Sequence, residues 1–289
     1  MKMVSIDFIV QQTILGLMIG TLYAVISIGF SLSFGLARII NIAHAGFYAL
    51  AAYLTYTFMV ISNNFAFSVI FASLIISALS FLVERYLISK IYGKHIDLSL
   101  VIGFGILFVM SSVIKYIWTP EPKSFSPPPL LSGQIFVGRA SIPVYYLFIL
   151  IASFCIFIAT WFFINKTMIG RTIKAGIDDL ERVILLGINI NRLFTINYVF
   201  SSFLAAIGGA LMGPLISLHP AIGHSTILLM FSIVVVGGMG SIFGTLVAGM
   251  IVGLSISYTA IYNPSIAEGM AYLLMVIVLL IKPEGLFKK

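Results

Sequence analysis

The sequence predicts an all-α polytopic membrane protein of about eight to nine transmembrane helices with a helical insert between spans five and six. Three observations support this. Apolar residues make up 61% of the 289 and charged residues only 9%, against roughly 25% charged in a soluble domain, so most of the surface must face lipid. The apolar residues fall in runs long enough to cross a bilayer, which takes about 20 residues. One charged stretch, 165–192, interrupts those runs and is far longer than a turn. The whole chain, 1–289, reads as one transmembrane domain.

Taken in order, spans are expected near 9–35, 43–62, 65–87, 98–118, 142–164, 193–216, 226–239, 241–260 and 265–282. The first run is too long for a typical signal peptide and lacks a small-residue cleavage site, so it reads as a retained span. The seventh is short and reads as a full crossing or as a re-entrant segment. If nine spans alternate, Arg38, Arg85, Lys90, Lys94, Lys166, Arg171, Lys174, Arg182, Arg192, Lys282, Lys288 and Lys289 share one side. Lys2, Lys115, Lys123 and Arg139 fall on the other. Basic residues favour the cytoplasm, so the N-terminus is expected outside and the C-terminus inside. A re-entrant seventh segment would reverse the C-terminus. The net charge of +7 thus reflects sidedness, and no basic stripe interleaved with aromatics points to nucleic acid.

The outer connection 119–141 is proline-rich and expected to be irregular or extended. Its Leu131-Ser132-Gly133-Gln134 looks like a broken ATPase signature, but the chain has no G-x-x-x-x-G-K-[ST] phosphate loop. Cys155, the single cysteine, allows no internal disulfide and reads as a packing residue in an apolar run. H-E-x-x-H, G-x-S-x-G and metal-spaced Cys/His clusters are missing, and His44, His95, His219 and His224 are scattered. Gly237-Gly238-Met239-Gly240 lacks the strand–helix setting of a dinucleotide fingerprint. Neither catalysis nor a cofactor bound by this chain is expected.

Ionisable residues inside a bilayer are costly and mark ion-coupled transport. Glu84 adjoins Arg85 at an inner span end, while Lys115 and Glu268 lie near outer ends; all read as interfacial anchors. That leaves no buried carboxylate for a proton cycle, so an ion-coupled secondary transporter is disfavoured. A neutral interior suits solutes without net charge. The insert NKTMIGRTIKAGIDDLERVILLGININR is amphipathic, and suits docking on a separate soluble motor. A passive channel would leave it without a purpose.

Span one carries Gly16, Gly20, Tyr23, Ser27 and Ser31 at helical spacing, a small and polar stripe. Beyond it, Asn41, His44 and Tyr48 share a face if that stretch is helical. Unpaired polar groups are costly in lipid, so Tyr23, Ser27, Asn41, His44 and Tyr48 read either as lining a translocation path or as a polar helix start that orients span two. Gly16/Gly20, Gly209/Gly213, Gly240/Gly244 and Gly249/Gly253 are four apart, the spacing that lets helices approach closely. Gly237, Gly238, Gly240 and Gly244 read as packing or hinge positions.

Asn41-x-Ala43-His44 with a small residue and then Tyr48 resembles the branched-chain amino-acid ABC permeases of LivH type. The insert is similar to that family's ATPase-docking loop at Gly170-Arg171 through Lys174-Ala175, Asp179-Leu180 and Leu186-Gly187-Ile188, and the resemblance implies that a helix around Asp178 to Leu186 sits in a groove of an ATPase. Val236-Gly237-Gly238-Met239-Gly240-Ser241-Ile242-x-Gly244 resembles its V-x-G-G-x-G-S-x-x-G turn, and Lys282-Pro283-Glu284-Gly285-Leu286-Phe287 its terminal R-P-x-G-L-F. Two positions depart: Ala45 for the usual Gly and Val183 for the usual Ala. The resemblance implies a prokaryotic plasma-membrane importer subunit that moves leucine-, isoleucine- or valine-like solutes. It implies a homologous second permease subunit, two cytoplasmic ATP-binding subunits that bind ATP-Mg, and an extracytoplasmic solute-binding protein. Urea or short amides are the nearest alternative solutes, and a sugar permease of the wider group is further away.

Overall fold

In a computed structural model that describes residues 6–138 and 140–287, the chain folds as a helical bundle. Its elements are α1 Ile6–Ala37, α2 Ala43–Ser62, α3 Phe65–Tyr86, α4 Ile96–Trp118, β1 Gln134–Val137, β2 Ala140–Pro143, α5 Val144–Lys166, α6 Met168–Asp178, α7 Leu180–Leu185, α8 Ile190–Met212, α9 Ile222–Gly237, α10 Ile242–Tyr262, α11 Pro264–Ala267 and α12 Gly269–Ile281. Among the described residues, eight helical segments are long and apolar enough to cross a membrane, and α9 is a shorter apolar helix. Lys2, Arg139, Lys288 and Lys289, used in the sidedness count, lie outside the described residues.

The bundle has two ends. At one, Gln11 of α1 donates to the Ser141 carbonyl of β2 at 3.0 Å, Tyr145 at the start of α5 donates to the Leu211 carbonyl at 2.7 Å, and Lys123 pairs with Leu218 through two backbone hydrogen bonds. At the other, Ile177 of α6 packs beside Gly35 and Gly240. There the backbone N–H groups of Leu286 and Phe287 donate to the carbonyls of Val236 and Gly237. We call these the hairpin end and the loop end. The segment 218–237 therefore runs from the hairpin end to the loop end.

Helices α1, α2, α8 and α9 form the centre, while α3, α4, α5 and α12 are exposed along much of their length. Glycine permits the tightest contact. A Cβ on Gly249 would stand 2.6 Å from the Gly20 carbonyl oxygen, and one on Gly16 2.9 Å from Leu254 Cα. Gly253 in turn abuts the backbone of Gly16 and Gly20. Two of the glycine pairs at spacing four thus meet each other across α1 and α10, and Gly209 meets the Tyr48 backbone across α8 and α2.

Several expectations are corrected. Asn41 precedes the first turn of α2, so it does not share a helical face with His44 and Tyr48. The last span, expected near 265–282, is present as Pro264–Ile281; Asn263 caps α11, which begins at Pro264, and Glu268 joins it to α12 in a helical conformation. The connection expected to be irregular or extended holds two paired antiparallel strands, Gln134–Val137 and Ala140–Pro143, with Gln134 opposite Pro143 and Gly138 at φ 64°. Cys155 is exposed, since a helix apolar on every side gives no sequence clue to its buried face. Glu84 is buried, only 1% exposed, whereas Arg85 is exposed; consecutive helical residues point about 100° apart, and the carboxylate takes the inward direction. The inference that no carboxylate is buried therefore fails.

Candidate functional site

Two regions draw in the residues singled out from sequence. The first is a polar centre where α1, α2 and α8 cross. Arg38 ends α1 with φ 52°, a left-handed conformation that turns the chain back toward the bundle. The returning chain is buried from Ile39 onward, apart from the partly buried Ile40, and α2 starts beside the middle of α1 rather than at its end. His44 Nε2 lies 2.9 Å from the Ile26 carbonyl; a carbonyl only accepts, so Nε2 carries the proton. Glycine at 29 makes this crossing possible, since a Cβ there would lie 2.9 Å from His44 Cε1 and 2.5 Å from the Ser201 carbonyl oxygen. Ala45 is fully buried, and its carbonyl meets Gly223 of α9.

Around this start, Tyr198 donates to Asn41 Oδ1 at 3.2 Å and Asn197 Nδ2 donates to the Leu32 carbonyl at 3.1 Å. The Ser31 hydroxyl accepts from the Gly240 N–H at 2.9 Å. Tyr48 lies near the hydroxyls of Tyr23 and Thr226 without closing a hydrogen bond. Ser27, Asn41 Nδ2, His44 Nδ1, Ser201 and Ser202 are buried without hydrogen-bond partners, each costing about 1–3 kcal/mol. Tyr23, Ser27, Asn41, His44 and Tyr48 are thus brought together. All but Tyr23 are sealed within the single chain, so any route past them requires helix faces to part.

Sequence reasoning missed α8's share of this centre. Asn197, Tyr198, Ser201 and Ser202 lie on one helical face, a polar patch visible within span six. It also missed Glu84, whose Oε1 accepts from the Tyr92 hydroxyl at 3.1 Å while Oε2 has no partner. Burial, with the Glu84 carboxylate second, pushes the Tyr92 hydroxyl well above its usual range.

The second region is the surface at the loop end. Thr167 caps α6 by accepting from the Gly170 N–H at 3.0 Å, and Gly170 lets α6 fold against the α5 backbone at Phe163 and Ile164. Asp179 breaks the insert in two: its Oδ1 accepts from the Arg182 N–H at 3.1 Å and its Oδ2 pairs with the Arg182 guanidinium at 2.6 Å. The helix expected around 178–186 is α7, capped by Asp179 and Leu186, with Asp178 ending α6 before it. Ile173 and Val183 anchor the pair inward. Arg171, Lys174, Ala175 and Asp178 face out, as do Leu185, 86% exposed, and Leu186, 77% exposed. Gly187 closes the surface with φ 75°, where a side chain would be strained. Gly238 and Gly240, φ 97° and 87°, form the adjacent turn, with Gly237 and Gly244 in backbone contact.

A sequence profile of the family described as "Branched-chain amino acid transport system / permease component" matches residues 12–279. The chain belongs to that family. It is 28% identical to the high-affinity branched-chain amino acid transport system permease protein LivH of Salmonella typhimurium, over 96% of this chain and 95% of that one. It is 27% identical to the corresponding BraD protein of Pseudomonas aeruginosa, over 96% and 94%. The fructose import permease protein FrcC of Rhizobium meliloti is 31% identical, over only 42% of this chain and 35% of its own. No solved structure matches. The matched range of the family runs from α1 into α12 and contains both the polar centre and the loop-end surface.

Proposed function

We propose that this permease is the membrane subunit of an ATP-driven importer for branched-chain amino acids, with its loop end in the cytoplasm. The observation that carries the solute is the extent of similarity: several relatives named for branched-chain amino acids match 96% of the chain, although one matches 45%, while two named sugar permeases match 42%. The exposed Leu185 and Leu186, flanked by Arg182 and Glu181, support docking of an ATP-binding subunit, because a large apolar patch ringed by charge marks a partner surface. Two such subunits would bind ATP-Mg, a second permease would complete the membrane part, and the hairpin end would receive a solute-binding protein. Tyr23, Ser27, Asn41, His44 and Tyr48 would border the route once helix faces part, offering unpaired neutral polar atoms to a zwitterion.

Uptake of labelled leucine into proteoliposomes that hold the assembled transporter tests the reading, with ATP inside and binding protein outside. ATP-dependent uptake that unlabelled isoleucine and valine compete away is expected. Uptake without ATP would overturn the importer, and ATP-dependent uptake of ribose or fructose without leucine would overturn the solute. In the same assay the double substitution L185D/L186D is expected to lower uptake at least about tenfold while the subunit still inserts.

A further inference from the structure

Between the loop-end halves of α3, α5 and α8 runs a groove of about 860 Å³ that nothing above uses. Its lining changes character along its length. Arg85 from the last turn of α3 and Arg192 from the first turn of α8 stand at the loop end, with Asn191 beside them; Phe81, Phe200 and Phe203, together with Ser77, line the deeper part. Phe81 and Arg85 are four apart, and Arg192, Phe200 and Phe203 share the helical repeat, so each helix offers one continuous strip. Arg85, Arg192, Asn191 and Phe81 are exposed at the surface of the bundle.

Neither guanidinium is neutralised. Among the described residues the ion pair is Arg182 with Asp179, away from the groove. No carboxylate lines the groove, and Glu84, the neighbour of Arg85, turns inward to Tyr92. Two unpaired arginines thus sit above an apolar furrow on the face of a membrane protein. That pairing of charge and oil describes a lipid: a phosphate above, an acyl chain below.

We propose that this groove binds one anionic phospholipid, its phosphodiester held between Arg85 and Arg192 and an acyl chain laid along Phe81, Phe200 and Phe203. Guanidinium forks match phosphate oxygens in bidentate fashion, and basic pockets between spans suit anionic headgroups. A zwitterionic headgroup offers the same phosphate but sets its own cation against the two arginines, so anionic lipid is preferred. Asn189, Arg192 and Ile196 also line the neighbouring cleft under α6, with Met168, Ile169 and Thr172, so the bound lipid braces the base of the insert. The inference rests on the membrane-spanning fold and not on the solute or the ATPase.

The test is native mass spectrometry of the intact chain with phosphatidylglycerol or phosphatidylcholine, paired with a phosphatidylglycerol carrying a photoreactive diazirine in its acyl chain. Expected are retained phosphatidylglycerol adducts favoured over phosphatidylcholine by roughly tenfold, and cross-links mapping to 77–85 or 192–203. R85Q/R192Q should remove the preference, while R38Q/K90Q, equal in charge loss, should keep it. Equal retention of the two lipids, or cross-links only elsewhere, would overturn the proposal without any variant having to fold. Displacement of the lipid by millimolar inorganic phosphate would show a soluble-anion site instead, and likewise overturn it.

Discussion

Helix α1 uses two faces in opposite ways. Toward α10 it is close, glycine against glycine, with Gly16 and Gly20 meeting Gly253 and Gly249 at backbone distance, and polar bonds are confined to one end, where Ser257 donates to Gln12 and Thr13 meets the Tyr258 hydroxyl. Toward α2 and α8 it is polar, with the Ile26 carbonyl bonded to His44 of α2 and the Leu32 carbonyl to Asn197 of α8. Lipid supplies no hydrophobic drive between helices, so association rests on close packing or on polar bonds. The first contact tolerates no added atom. The second carries unpaired polar groups and so has slack in its bonding.

The largest test of that contrast is Gly20→Leu, which forces side-chain volume into the Gly249 backbone. It should cost more than about 3 kcal/mol and deplete the folded subunit in a thermal-denaturation assay; wild-type melting would refute the close contact. His44→Ala should cost about 2 kcal/mol, from the lost bond to Ile26 and the space left behind. Its stability and its uptake are expected to fall together. Normal stability with lost uptake would instead move His44 from packing to the route. Gly105→Ala serves as the opposite control: a methyl there meets nothing within 4 Å, so α4 should gain up to about 1 kcal/mol. Arg38→Gly, which relieves a left-handed φ, should stabilise by about 0.5–1 kcal/mol, the smallest change, read as a rise in melting temperature.

Much of the bundle was legible because apolar runs near bilayer length end at residues that stop helices. Expected spans 43–62 and 65–87 meet helices Ala43–Ser62 and Phe65–Tyr86, separated by Asn63 and Asn64, the latter capping α3 through Phe67. The glycine spacing was legible too, although which pairs would meet was not. Depth was hidden. Asn41 and His44 read alike whether a helix starts at the membrane surface or halfway along α1, since local sequence records polarity and not position. Orientation was hidden where adjacent charges diverge: nothing local tells Glu84 to face inward and Arg85 outward. The break at Asp179 could have been read, because Asp before an apolar run is a common helix cap, but Asp178 beside it offers the same signal.

The polar centre also has a history within each molecule's synthesis. Asn41 meets Tyr198 across 157 residues of chain, and Leu32 meets Asn197 across 165. When α1 and α2 emerge from the ribosome, those partners do not yet exist. An Asn, a His and a line of serines cannot be left to hydrocarbon alone in the interval. The α1–α2 pair must therefore wait in a wet or protein-lined shelter until α8 arrives, which makes assembly of this centre a late, post-insertion event. A chain stalled before residue 190 should remain bound to the insertion machinery, and one stalled after residue 215 should be released into the bilayer.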